Sequence, residues 1–68
     1  MTNTSLLEQR IEASGYKKSY IAKQIGISAY ALAMKINNES EFKANEITII
    51  SKLLKLDLKT KEVIFFAN

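Results

Sequence analysis

The run from Tyr20 to Asn37, YIAKQIGISAYALAMKIN, leaves few folds open to this chain. Ile21 and Ile25 lie four apart and share one face of a helix. Ala22 stands four residues before Gly26, and a small side chain at that point lets a second helix cross the first closely through a turn of three or four residues. Such a turn forces one residue toward the left-handed region, where a Cβ costs energy and glycine does not, so Gly26 is the expected occupant. Ile27 plugs the space beneath the turn. Ser28 is placed to accept a backbone N–H and start the second helix, and Leu32 and Ile36 turn that helix's apolar stripe toward the first. This spacing reads as a helix-turn-helix whose stripe the rest of the chain has to cover.

The flanking segments supply that cover. Leu6, Leu7 and Ile11 recur at helical spacing over Ser5 to about Ala13, with Thr4 or Ser5 able to cap the segment and Glu8 completing a Ser-x-x-Glu box. Gly15 stops this helix, and Tyr16 is expected to drop its ring into the core between the first and second helices. Lys17 and Lys18 stand at the entry to the second, where a lysine is a poor cap. Asn37 to Glu41 is five polar residues and reads as loop, with Phe42 as its anchor. Ile47, Ile50, Leu53 and Leu54 define a fourth helix from Ala44 to Leu54, with Asn45 and Glu46 in the first turn, where the helix dipole favours an acid. Leu56 and Leu58 alternate with charged residues in a short connection, and a last helix runs from Lys59 to about Phe66. Its Val63, Ile64, Phe65 and Phe66 cannot all face one way. Two of them are expected to close the core over the first and fourth helices. The group also suits a homodimer seam, with Val63, Phe65 and Phe66 as candidates. The expected fold class is all-α, a compact bundle of about five short helices forming one domain over residues 1–68.

Composition narrows the chemistry. The chain has no cysteine and no histidine, so disulfides are excluded and the usual zinc sites and nucleophilic dyads lose their best ligands and bases. Six glutamates and one aspartate are scattered without a paired spacing that suggests a general acid and base. No enzyme activity, metal or cofactor is expected. No run approaches the roughly eighteen apolar residues of a membrane span, and MTNTSLLEQR lacks the layout of a signal peptide. A cytoplasmic protein is expected. The net charge of +3 is modest, yet residues 17 to 43 carry five lysines against two glutamates and so hold a +3 excess among themselves. A polyanion partner is the direct reading of that placement.

The pattern IAKQIGIS followed by LAMKINNESEFKANEI resembles the Cro and repressor family of helix-turn-helix proteins, the XRE family. It is closest to small regulators of phages and mobile elements in Gram-positive bacteria, where a KIN-type turn, a phenylalanine and an IFF ending recur. The resemblance spans nearly the whole chain. It implies a lambda-repressor-like bundle whose second and third helices form the reading unit, double-stranded DNA as partner, and a dimer at least on DNA. It places Ser28, Ala29, Tyr30, Ala33 and Met34 where the third helix faces base edges. Lys18 falls where the family usually has a glutamine touching phosphate, while Lys35, Asn37, Asn38 and Lys43 match backbone-contacting positions. Lys23 joins these as part of the lysine excess.

Helical geometry partly agrees with this assignment. Ala29, Tyr30, Ala33 and Asn37 lie opposite Leu32 and Ile36, with Met34 at the margin. The reading face departs from common direct readout, since it offers methyl groups and a phenol at its centre and neither the arginine or lysine that suits guanine nor the asparagine or glutamine that suits adenine. Selectivity would then lean on groove shape, DNA flexibility and dimer spacing. The expected function is a phage-type Cro or repressor that occupies an operator and blocks polymerase. The alternative is a protein-binding module of the same fold, such as an antirepressor that pairs with a larger repressor, for which the apolar third helix and the VIFF ending are suited.

Overall fold

Five helices form where apolar residues at spacings of three and four meet a residue that starts or stops the helix. In a computed structural model, which describes residues 1–66, these are α1 (Thr4–Ser14), α2 (Lys18–Ile25), α3 (Ala29–Ile36), α4 (Ala44–Leu53) and α5 (Leu58–Phe65). The described residues contain no strand, and none of their helices is long and apolar enough to cross a membrane. The all-α bundle is thus the architecture of the chain.

Three helices start on a side-chain cap. Asn3 accepts from the Leu6 N–H at 3.1 Å, Ser28 from Ala31 at 3.0 Å and Asp57 from Thr60 at 2.7 Å. The cap of α1 is therefore Asn3 and not Thr4 or Ser5. Thr4 is drawn into the helix because its hydroxyl donates to the Ile36 carbonyl at the far end of α3, 2.5 Å away. Lys17 precedes α2 without any side-chain cap, as its chemistry requires.

α2 packs on α3 and α4, and α1 packs on α3 and α5. Leu7, Ile21, Leu32, Ile36, Ile50 and Ile64 are fully buried where they meet, and Ala22, 1% exposed, is the small contact point on α2. Each branched side chain so buried contributes roughly 2 kcal/mol. Ile27 packs against the edge of this core below the turn. Of the four apolar residues ending the chain, Ile64 and Phe65 turn inward, and the Phe65 ring meets Phe42 edge-on at 5.3 Å. The N-terminus is strapped across the bundle, since the Asn3 N–H donates to the Ile64 carbonyl at 2.6 Å and Thr2 exchanges two hydrogen bonds with the Asn38 side chain.

Tyr16 does not enter the core. It stays 39% exposed and stacks on Tyr20, ring centroids 5.1 Å apart. The backbone reverses at Gly15, which lays the ring along the outside of α2, one turn before Tyr20, and leaves the phenol in water without the buried partner it would otherwise need.

The helix ends share one device. After α2 the Gly26 N–H donates to Lys23 and the Ile27 N–H to Ala22; after α3 the Asn38 N–H donates to Lys35 and the Glu39 N–H to Met34; after α4 the Lys55 N–H donates to Lys52 and the Leu56 N–H to Ser51. Each is a Schellman closure around one left-handed residue, with φ of 90° at Gly26, 63° at Asn38 and 56° at Lys55. Glycine adopts this conformation freely and asparagine tolerates it, but a lysine is strained there. A Cβ at Gly26 would meet nothing within 4 Å, so the demand for glycine is one of backbone conformation alone. Gly26→Ala should therefore lower stability by about 1 kcal/mol and Lys55→Gly raise it by about 1 kcal/mol in urea unfolding. Equal midpoints for the three proteins would contradict strain at these closures.

Candidate functional site

α3 is eight residues long and has two unlike faces. Leu32, Lys35 and Ile36 are buried against the bundle, which leaves Ala29, Tyr30, Ala33 and Asn37 exposed and Met34 half-buried at the margin. Tyr30 projects furthest, 76% exposed. Ser28 sits at the mouth of the helix, where its hydroxyl oxygen accepts from the Ala31 N–H and keeps its own proton to donate. The face thus offers methyl and thioether surface, one hydroxyl and one phenol. Those groups can pack against apolar edges and exchange one or two hydrogen bonds. Among the described residues no group of three or more acidic, histidine or cysteine side chains is placed to hold a metal.

The cations predicted to surround this face divide into three kinds. Lys23 and Lys43 are exposed, and neither is ion-paired among the described residues. Lys18 is exposed but holds Glu8 at 2.9 and 3.0 Å through both carboxylate oxygens. A pair so open to water is worth at most about 1 kcal/mol, so this ammonium can exchange its partner for another anion. Lys35 belongs to the interior. Only 8% exposed, it donates to Glu46 Oε1 at 2.5 Å and to the Glu41 carbonyl at 3.3 Å, which removes it from the set of phosphate-contacting residues. It points inward because it lies three residues from Leu32 and beside Ile36, on the side of α3 that turns to α4.

Asn38 stays exposed but is engaged within the chain. Its amide accepts from the Thr2 N–H at 2.8 Å and donates to Thr2 and Thr4, so it fastens the N-terminal strap. Asn37 remains exposed. Among the candidate seam residues, Phe65 is 8% exposed and fills the core, whereas Val63 and Phe66 are 36% and 59% exposed. Leu58, 72% exposed, adds to the apolar surface of α5. Two features escaped the sequence reading. The exposed Tyr16–Tyr20 stack adds two phenols near Lys17 and Lys18, and its signal was the spacing of four between the tyrosines. The Lys35–Glu46 pair had no such local signal, because eleven residues and a loop separate its members.

Glu46 stands in the first turn of α4, as expected of an acid complementing the helix dipole, and it is only 5% exposed. Its Oε1 accepts from the Lys43 N–H at 2.8 Å as well as from Lys35. Burial alone would push its carboxyl up. The hydrogen bonds from Lys35 and from the Lys43 N–H, helped by both lysine charges, outweigh burial and hold the carboxyl below its ordinary value of 4.5. No family model, curated protein or solved structure matches the chain.

A carboxyl with a depressed folded-state pKa contributes stability that is complete above its unfolded value and is lost as pH falls through the folded one. Unfolding midpoints should therefore decline as pH drops below about 4.5, and Glu46→Gln should flatten that decline. Lys35→Met leaves Glu46 buried without its counter-charge, which should cost roughly 3 kcal/mol at neutral pH. Part of that loss should return near the ordinary carboxylate range as Glu46 takes up a proton. A Lys35→Met protein with the parental pH profile would contradict the pairing.

Proposed function

We propose that this chain is a sequence-specific DNA-binding regulator of the Cro and repressor kind, whose α2–turn–α3 unit acts as a helix-turn-helix and lays the outward face of α3 in the major groove. The observation that carries the reading is the division of α3: its inner side is locked into the core, while Ala29, Tyr30 and Ala33 stand exposed. Met34 and Ser28 complete the reading face at its edge and its start. Ala29, Ala33 and Met34 suit thymine methyl groups, and Ser28 and Tyr30 suit base edges or phosphates. Lys18, Lys23, Asn37 and Lys43 contact the backbone, with Lys18 leaving Glu8 to do so, and the α3 N-terminus adds its N–H groups. The protein works in the cytoplasm as an operator-occupying repressor.

A single copy with so few polar readers binds weakly, so two copies sit on half-sites about one helical turn apart. Val63 and Phe66, at the end of the chain's last helix, supply the apolar surface for that pairing. The same exposed residues favour the second reading, a protein-binding module such as an antirepressor, in which α5 meets a larger repressor.

Fluorescence anisotropy on the DNA flanking the gene, run at several salt concentrations beside a scrambled duplex, separates the two. A regulator binds the native duplex more tightly and with a steep salt dependence, whereas equal weak binding to both duplexes favours the protein-binding module. Lys43→Ala should weaken binding to every sequence and reduce the salt slope by about 1, while Tyr30→Ala should change the ranking of sites. If Tyr30→Ala ranks all operator variants as the parent does, the reading face is misassigned.

A further inference from the structure

The turn after α4 and the start of α5 border, with α4 itself, an open groove of about 300 Å³ that takes no residue from α2 or α3. Lys52, Lys55 and Lys61 line it, and among the described residues none of the three is ion-paired. Three like charges around one opening repel one another, which a folded domain gains nothing from unless a counter-charge sits between them. A second observation is independent of charge. Ser51 also lines the groove, is only 6% exposed, and its Oγ is the buried side-chain polar atom without a hydrogen-bond partner among the described residues. A desolvated hydroxyl left unpaired is costly, and native interiors rarely leave one so without an ordered water, ligand or ion to meet it. Thr48 on the same wall differs, because its hydroxyl already donates to the Ala44 carbonyl.

We propose that this groove binds a small, multiply charged oxyanion of the phosphate-ester class. Lys52, Lys55 and Lys61 are the residues to meet the non-ester oxygens, the Ser51 hydroxyl, covered in the anion-free protein, turns to donate to one of them, and Leu56 and Leu58 line the side that receives the organic portion. The volume lies at the lower end of small-molecule sites and fits a compact ester better than a nucleotide. Lys55 keeps its side chain at this mouth despite a left-handed backbone that glycine would adopt without strain. Occupancy stabilises the folded chain by mass action and pulls together α4 and α5, so the ester's concentration is felt at the helix whose other face carries Val63 and Phe66.

The test is a titration of isotope-labelled protein with inorganic phosphate and with glycerol phosphate at constant ionic strength, followed by amide chemical shifts, beside a titration with a duplex DNA. The expected result is saturable shifts centred on Ser51, Lys52, Lys55 and Lys61, with the α3 amides unmoved by either small anion. Lys55→Gly and Lys61→Gln should each weaken phosphate-ester binding about tenfold, the first while raising the melting temperature. Ser51→Ala should weaken it severalfold without lowering the melting temperature of the anion-free protein. Non-saturating shifts spread over all surface lysines would overturn the site. So would a Ser51→Ala protein that melts lower without anion, since the hydroxyl would then be bonded within the chain. Shifts at these residues with the duplex and none with either small anion would reassign the lysines to the DNA backbone.

Discussion

The buried ion pair between Lys35 and Glu46 is the constraint on which the arrangement of α3 depends. Its ammonium reaches the carboxylate at the start of α4 and the Glu41 carbonyl in the intervening loop, and the same carboxylate oxygen takes the Lys43 N–H. One pair therefore fastens the end of α3, the loop and the first turn of α4. Taking two charges from water is expensive, and the pair is tolerated because each group finds further hydrogen bonds at its site. An apolar pair of similar shape could be as stable. What the ion pair adds is a fixed rotation of α3, because Lys35 can reach Glu46 only when Leu32 and Ile36 also face the core. The outward set of Ala29, Tyr30 and Ala33 is the other half of the same condition.

A domain this small has little apolar surface to bury, so backbone satisfaction at helix ends matters more than in a larger protein. The Schellman closures at Gly26, Asn38 and Lys55 satisfy carbonyls that α2, α3 and α4 would otherwise leave open. Asn38 carries a second task, since its side chain holds the N-terminal strap and thereby brings Asn3 to Ile64. The strap links α1, the end of α3 and α5, with several hydrogen bonds to Ile36 and Asn38 and one to Ile64. Asparagine is suited to both tasks, tolerating the left-handed turn while presenting a donor and an acceptor.

How much of this was legible in the sequence follows from the range of each interaction. Gly26, Ala22, Ser28 and the stripe of Leu32 and Ile36 act within one or two helical turns, and their spacing alone located α2, the turn and α3. The split of Val63, Ile64, Phe65 and Phe66 was expected in number, yet which pair turns inward depends on Phe42 and on the strap, both distant in the chain. Tyr16 was misplaced because apolar area suggested burial while its hydroxyl had no partner within reach. Lys35 was misread for the opposite reason. A lysine near the end of a basic helix reads as exposed, and only the fold brings Glu46 to it. The outward position of Ala29, Tyr30 and Ala33 followed from helical spacing, but the family resemblance carried Lys35 onto the surface where the fold buries it, and it gave no sign that Asn38 holds the N-terminus.

The proposed function rests on an internally locked α3, whose largely apolar outward face would enter the major groove while lysines on α2 and at the start of α4 hold the DNA backbone. The most direct test is to map, by amide chemical shifts, which residues respond when the protein binds its preferred duplex. The account predicts the largest changes over Ser28 to Met34, with smaller ones near Lys18, Lys23 and Lys43. A footprint confined to α5, with α3 unmoved, would contradict it.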